Sequence, residues 1–265
     1  MTEIPAALVK QLRDITGAGM MDCKRALVET GGDLEAARQL LREKGLAQAG
    51  KRADRPTTEG TVLARIDNGR GVLVAVGCET EPVSGNEEFL AFAQHLLDVV
   101  LVEGPEATDS LEEERVELVA KLGENVVVVG AERYEIEDGE VAAEYIHPPA
   151  RKIGVLVRAK ASPELARLLA MHIAAARPQY LTRDEIPEQE IAAERAVYEK
   201  LPDVESKPED VRPKIVDGML AKRFFATSVL VDQPWVHDPS LSVETALAER
   251  DAEVREFVRY NVGGE

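Results

Sequence analysis

Residues 60–76 read GTVLARIDNGRGVLVAV, and residues 139–159 read GEVAAEYIHPPARKIGVLVRA. In the first stretch Val62, Leu63 and Ile66 precede Asp67-Asn68-Gly69, and Val72-Leu73-Val74-Ala75-Val76 follows. β-rich runs on either side of an Asn-Gly pair predict a hairpin, because the tight turn that matches strand twist needs positive φ at both central residues. The second stretch repeats the opening glycine, the alternation and the second apolar strand. A helix with a matching core follows each stretch, AFAQHLL around His95 and LLAMHIA around His172. Each half then returns to a strand, VVVVGAERYEI at 126–136 and AEVREFVRYNV at 252–262. Such an echo predicts an α+β protein with two similar halves, each a small antiparallel sheet backed by helices.

Outward from the echo, Ser84 and Glu87 have the spacing of a capping box for the helix carrying Phe89, Phe92, Leu96 and Leu97. Ser110 and Glu113 predict a second helix that ends at Gly123, and Asp138-Gly139 predicts a further hairpin. Between the second half's helix and its return strand lies an insertion, roughly Pro187 to Ala226. Its helical runs, Glu188 to Leu201 and Pro208 to Phe225, are joined by the polar PDVESK and predict a projecting αα-hairpin. The front end predicts three short helices. Leu8, Leu12 and Ile15 share one face of the first, and Gly17-Ala18-Gly19 ends it. The second runs from about Met20 to Thr30. Asp33 is a good N-cap for a third, Gly45 a plausible stop, and Ala49 to Thr58 then reads as a linker.

Composition narrows the classes of function. Aromatic residues make up only 4% of the 265, so the core is mostly Leu, Val, Ile and Ala. No stretch approaches the ~20 apolar residues of a membrane span, and MTEIPAALVKQLRD lacks the apolar run of a signal peptide. A soluble, cytoplasmic protein is expected. Net charge is −17, with residues 1–55 carrying 10 basic against 8 acidic side chains and the remainder net −19. Phosphates and anionic membranes repel such a chain, so direct nucleic-acid and membrane binding are not expected and a protein partner fits better. Simple solubility explains the same acidity.

The motifs of nucleotide loops, serine hydrolases and zinc proteases are missing. Cys23 and Cys78 lie 55 positions apart without a metal-ligand spacing, so no metal and no cofactor are expected. A cysteine hydrolase using Cys78 with His95 is one reading. Against it, His95 recurs as His172 in the other half, where no cysteine accompanies it. Binding without bond chemistry is the other reading. The loop Gly77-Cys78-Glu79-Thr80-Glu81-Pro82-Val83-Ser84-Gly85 leaves a buried strand and enters a helix, a place where side chains are held rigidly yet exposed. It serves equally as a partner-penetrating tip or as a tight turn with a solvated glutamate.

LVKQLRDITGAGMMDCKRALVETGGDLEAARQLLREKG, LGENVVV, YIHPPARKIGVLV, AMHIAAARPQYLTRDEIP, KPEDVRPKIVDGMLAKRFF and VLVDQPWVHDP, in that order, resemble the bacterial elongation factor Ts family from about Leu8 to Gly263. Members are guanine-nucleotide exchange factors for elongation factor Tu, which they engage in its GDP-bound and nucleotide-free states. The resemblance implies a ubiquitin-associated-like three-helix bundle at 1–52 and a first core subdomain at 53–138. It implies a second core subdomain at 139–186 and 227–265, and a projecting helical hairpin at 187–226. The family's Thr-Asp-Phe-Val motif, which wedges beside the magnesium and phosphate region of Tu, falls on Thr80, Glu81, Pro82 and Val83. Leu122 and Gly123 match another contact pair, and His147 matches a histidine at the interface. Here Glu81 replaces Asp and Pro82 replaces Phe. That departure leaves two expectations: an exchange factor matched to a co-adapted Tu, or a divergent paralogue that binds or sequesters Tu with weak exchange.

Overall fold

The computed structural model describes residues 4–264. Its first three helices are α1 (Ala6–Thr16), α2 (Met20–Glu29) and α3 (Leu34–Arg52). Val9, Leu12, Cys23, Ala26, Leu27 and Ala37 form their shared core. Leu8 is half-buried against it, whereas Ile15, placed on the same face by its spacing, is exposed. Asp33 caps α3 by accepting the Ala36 N–H at 3.0 Å. Gly45 does not stop that helix, which runs on into the expected linker, through Ala49, and ends at Arg52. A Cβ at Gly45 would lie 3.1 Å from the Ala120 side chain, so the glycine permits a close helix crossing instead.

β1 (Glu59–Asp67) and β2 (Arg70–Cys78) pair antiparallel from Glu59↔Cys78 to Asp67↔Arg70. The turn between them has φ 48° at Asn68 and 74° at Gly69, the left-handed pair its sequence demands. α4 (Glu81–Ser84), α5 (Glu87–Glu103) and α6 (Glu112–Leu122) follow, and β3 (Val126–Glu135) adds to the β2 edge to give the order β1-β2-β3. β4 (Val141–Ile146) and β5 (Ile153–Lys160) form the second hairpin, and α7 (Pro163–Ala176) follows it. After the insertion, β8 (Glu253–Asn261) returns to pair with β5, giving β4-β5-β8. Both sheets are fully antiparallel and repeat one connectivity.

Alternation sorts β2 between two cores. Val72, Val74 and Val76 meet Phe89, Phe92, Leu96 and Leu97 of α5, while Leu73 and Ala75 face Leu156 of the other sheet. β5 does the same, sending Val155 and Val157 toward Leu169 and Ile173 of α7. Burial on both faces explains why these strands read as continuous apolar runs. The result is helix, sheet, sheet, helix, a mixed α+β architecture.

Three local expectations are corrected. α5 is capped by Asn86, whose Oδ1 accepts from the Glu88 and Phe89 N–H groups at 2.9 and 3.4 Å. The Ser84 hydroxyl is already spent on the Glu81 carbonyl, closing the turn before. Ser110 likewise donates to the Ala107 carbonyl, inside a 3₁₀ segment, Pro105–Leu111, that runs into α6. Asp138-Gly139 turns the chain, but the strands it joins belong to different sheets, so it is a crossing and not a hairpin.

The insertion holds α8 (Glu188–Glu199), α9 (Pro202–Glu205), α10 (Arg212–Met219), a π-helical stretch Leu220–Phe225 and α11 (Ala226–Ser228). The link expected to be polar buries Val204 completely against Val216 and Leu220. The second run begins at Arg212 rather than Pro208, four positions later. Then come β6 (Pro234–Trp235), β7 (Asp238–Ser242) and α12 (Val243–Ala248), for which the sequence pattern gave no signal.

Candidate functional site

The segment after β2 is built to expose two side chains on a fixed base. Thr80 is the N-cap of α4, extended at φ −131° and ψ 153°. Pro82 sits in the first turn, where its missing N–H has no intrahelical partner to lose. Gly85 closes the turn by donating its N–H to the Glu81 carbonyl at 3.2 Å. Glu81 and Pro82 are exposed, and Val83 packs half-buried against the first core.

The base is a set of bonds between segments far apart in sequence. Thr80 donates its N–H to Glu124 Oε2 at 3.0 Å and its hydroxyl to Oε1 at 2.6 Å. Glu79 Oε1 accepts the Asn125 N–H at 2.7 Å. The Asn125 amide donates to the carbonyls of Arg55 and Ala53 at 2.9 and 3.3 Å, and Arg55 reaches back to Glu79 at 3.4 Å. The end of α3, the tip and the turn after α6 thus meet in one place. Gly123 ends α6 in the left-handed conformation, φ 78°, and Leu122 is half-buried against the first core.

Of the residues singled out from the sequence, Thr80–Val83 and Leu122-Gly123 are therefore adjacent. His147 belongs to the β4–β5 connection, which contains a cis Pro148–Pro149 bond. It is exposed, and its Nδ1 lies 3.0 Å from the Tyr145 hydroxyl. The connection reaches the first sheet through Lys152, which pairs with Glu59 at 2.6 Å beside the end of β2. Glu79, Glu124, Asn125 and Arg55 were missed. Their partners lie 24 to 72 positions away, beyond any local periodicity.

Cys78 is buried and donates to the Thr80 carbonyl at 3.4 Å. Burial first, then the neighbouring Glu124 carboxylate, pushes its thiol up to about 12. A thiol held protonated lacks the thiolate that attacks a substrate. His95 stands elsewhere, exposed and 2.8 Å from Glu114. Its counterpart His172 is fully buried, stacked on Trp235 with ring centroids 5.1 Å apart. The two histidines share a repeat position but not a role. Among the described residues there is no group of three or more His, Cys, Asp or Glu placed to hold a metal, and no helix long and apolar enough to cross a membrane.

The model of the family described as "Elongation factor TS" matches residues 79–264. Elongation factor Ts of Pasteurella multocida (strain Pm70) is 42% identical over 268 residues, spanning 99% of this chain and 93% of that protein. The protein of the same name from Actinobacillus pleuropneumoniae serotype 5b (strain L20) is 41% identical, covering 99% and 92%. That of Vibrio cholerae serotype O1 (strain ATCC 39541) is 40% identical, covering 98% and 92%. By agreement of the family model over residues 79–264 with likeness along almost the whole length, this chain belongs to the elongation factor Ts family.

Proposed function

We propose that this protein binds elongation factor Tu·GDP in the cytoplasm and promotes release of GDP, and so its exchange for GTP, without making or breaking a bond. The observation that carries the reading is the tip: an exposed carboxylate and an exposed proline on one helical turn, braced at its base by Glu124 and Asn125. If the protein and GDP bind Tu antagonistically, each weakens the other by the same factor. Loosening GDP by ~10⁴-fold takes ~5.5 kcal/mol of preference for the nucleotide-free conformation. Thr80–Val83 supplies that preference by displacing structure around the magnesium ion, with Leu122, Gly123 and His147 as further contacts. Affinity comes from the bundle at 1–52, where Met20, Met21, Ile15 and Val28 are exposed, and from the two subdomains. The repeated connectivity β1-β2-β3 and β4-β5-β8 supports dividing the core at 53–138 and 139–186 with 227–265, and the separate small core around Val204 and Val216 supports 187–226 as its own hairpin.

Glu81→Ala and Pro82→Ala test the tip, with release of a fluorescent GDP from the cognate Tu as the readout. Slower release in either variant is expected; unchanged release in both removes the tip from the mechanism. The Glu81-Pro82 departure favours a second reading, in which the protein sequesters Tu. Stable binding with GDP release left at its intrinsic rate distinguishes that case.

A further inference from the structure

We infer that Glu124 is a positioning residue for the exchange tip: its carboxylate takes both polar hydrogens of Thr80 and so fixes the direction in which Glu81 and Pro82 leave the body of the protein. The inference rests on the reading of Thr80–Val83 as the exchange element and adds the residue that aims it. α4 is only four residues long, and a single helical turn does not hold its own direction, because nucleating it costs more than its one or two bonds return. Its orientation has to come from its anchors. A threonine at an N-cap ordinarily turns its hydroxyl toward the helix it precedes. Thr80 makes no such bond, and its hydroxyl points away to Glu124 Oε1 while its N–H meets Oε2. Two donors of one residue on two oxygens of one carboxylate fix position and angle together.

The anchor itself is firm. Glu124 follows Gly123, whose left-handed conformation turns the chain off α6, and α6 is rooted in the first core by Val116 and Val119. Asn125, next in line, is buried and holds Glu79, the residue before Thr80. Thr80 is exposed, so water replaces the Glu124–Thr80 hydrogen bonds when they are lost and little global stability goes with them. Aim and fold are therefore separable by mutation.

The test follows fluorescent GDP release from Tu as the concentration of this protein is raised. Glu124→Ala is expected to lower the maximal release rate about tenfold or more, the scale of lost hydrogen bonds to a charged group, while the half-saturating concentration stays within about twofold. Glu124→Gln keeps the geometry without the charge: its Oε1 accepts the Thr80 N–H and its Nε2 donates to the Thr80 hydroxyl. It is expected to stay within about threefold of wild type. Thr80→Val removes the hydroxyl from the other side, and combined with Glu124→Ala it is expected to add no further loss. Thermal melts check folding, and Thr80→Val carries the test if Glu124→Ala melts. A Glu124→Ala protein at the wild-type maximal rate overturns the inference and leaves the exchange reading standing. Glu124→Gln as slow as Glu124→Ala also overturns it, by showing that charge rather than aim matters. A wild-type protein that leaves GDP release unaccelerated removes the exchange reading itself, and this inference with it.

Discussion

At Gly154 the two sheets pack closely, and replacing it with alanine tests the packing that joins the two halves. A Cβ there would stand 2.8 Å from Ile146 Cδ1, 3.2 Å from Leu73 Cδ1 and closer still to Val62 Cγ1, all in the inter-sheet core. Val62 and Leu73 are fully buried, so neither has solvent to move into. Forcing one carbon into a filled core costs about 1–3 kcal/mol. Against that, exchanging glycine for alanine restricts the unfolded chain and returns about 0.4–1 kcal/mol, since the backbone here is not left-handed. Overpacking wins, with a net loss of about 1–2 kcal/mol. For a chain of this size that lowers Tm by about 2–8 °C. Urea unfolding followed by circular dichroism should show an earlier midpoint with the slope unchanged. Val62→Ala alone removes two buried methyl-sized groups and costs about 2 kcal/mol. In the double variant the new methyl occupies part of the vacated space, so the two losses should fall short of their sum by about 1 kcal/mol. Strict additivity, or a Gly154→Ala protein as stable as wild type, refutes the claim that the sheets meet at this residue.

His172 should make stability depend on pH. Burial, only partly countered by its hydrogen bond to Gln233 and reinforced by nearby His237, holds its pKa below the ordinary value of 6.5. The unfolded chain then binds the proton first, so this contribution is complete above about pH 6.5 and is lost as pH falls toward the depressed folded value, by at most about 1.4 kcal/mol per unit. Its Nδ1 accepts the Val236 N–H at 3.2 Å, a bond that protonation destroys. The emission of Trp235, the only tryptophan, reports the change, and His172→Gln should flatten the stability profile between pH 5 and 7; an unchanged slope rejects the assignment. Cys78 should resist thiol reagents at pH 8 in the native protein and react promptly in denaturant, because its thiol is pushed up to about 12; rapid native labelling at Cys78 contradicts its burial beside Glu124.

What the sequence made legible was whatever a short window encodes. The Asn68-Gly69 turn, the apolar runs of β2 and β5 and the cap at Asp33 each depend on residues within a few positions of one another. The return of β3 and β8 was legible because a similar pattern of glycine, apolar strand and helix occurs twice. Errors arose where a partner far along the chain decided the matter. Gly45 reads as a stop, but it answers to Ala120 across a helix crossing. Ser84 and Asn86 both suit a cap, and the local turn of α4 consumes the first. The link around Val204 reads as polar because its one apolar residue finds Val216 only after the hairpin closes. The candidate site divides the same way. Thr80–Val83, Leu122, Gly123 and His147 rest on position within the family resemblance, and the clasp of Glu79, Glu124, Asn125 and Arg55 had no local signature.

The clasp also bears on how the proposed mechanism works with a proline where the resemblance implies a phenylalanine. A buried phenyl ring is worth about 1.5–3 kcal/mol of contact, and the Pro82 ring recovers only part of that area. The backbone need not change, since α4 accepts proline in its first turn. Stiffness offsets some of the deficit: a proline at a compatible position saves about 0.4–1 kcal/mol of ordering. Each side chain already immobilised before binding saves about 0.5–1.5 kcal/mol more, and Glu124 does this for Thr80, and Asn125 for Glu79, at the base of the tip. The clasp serves any tip sequence, so only the proline term is particular to this chain, and a deficit of about 1–2 kcal/mol remains. In the proposed complex that difference falls on surfaces away from the tip, and the exposed Met20 and Met21 of α2 are flexible apolar side chains suited to supply it.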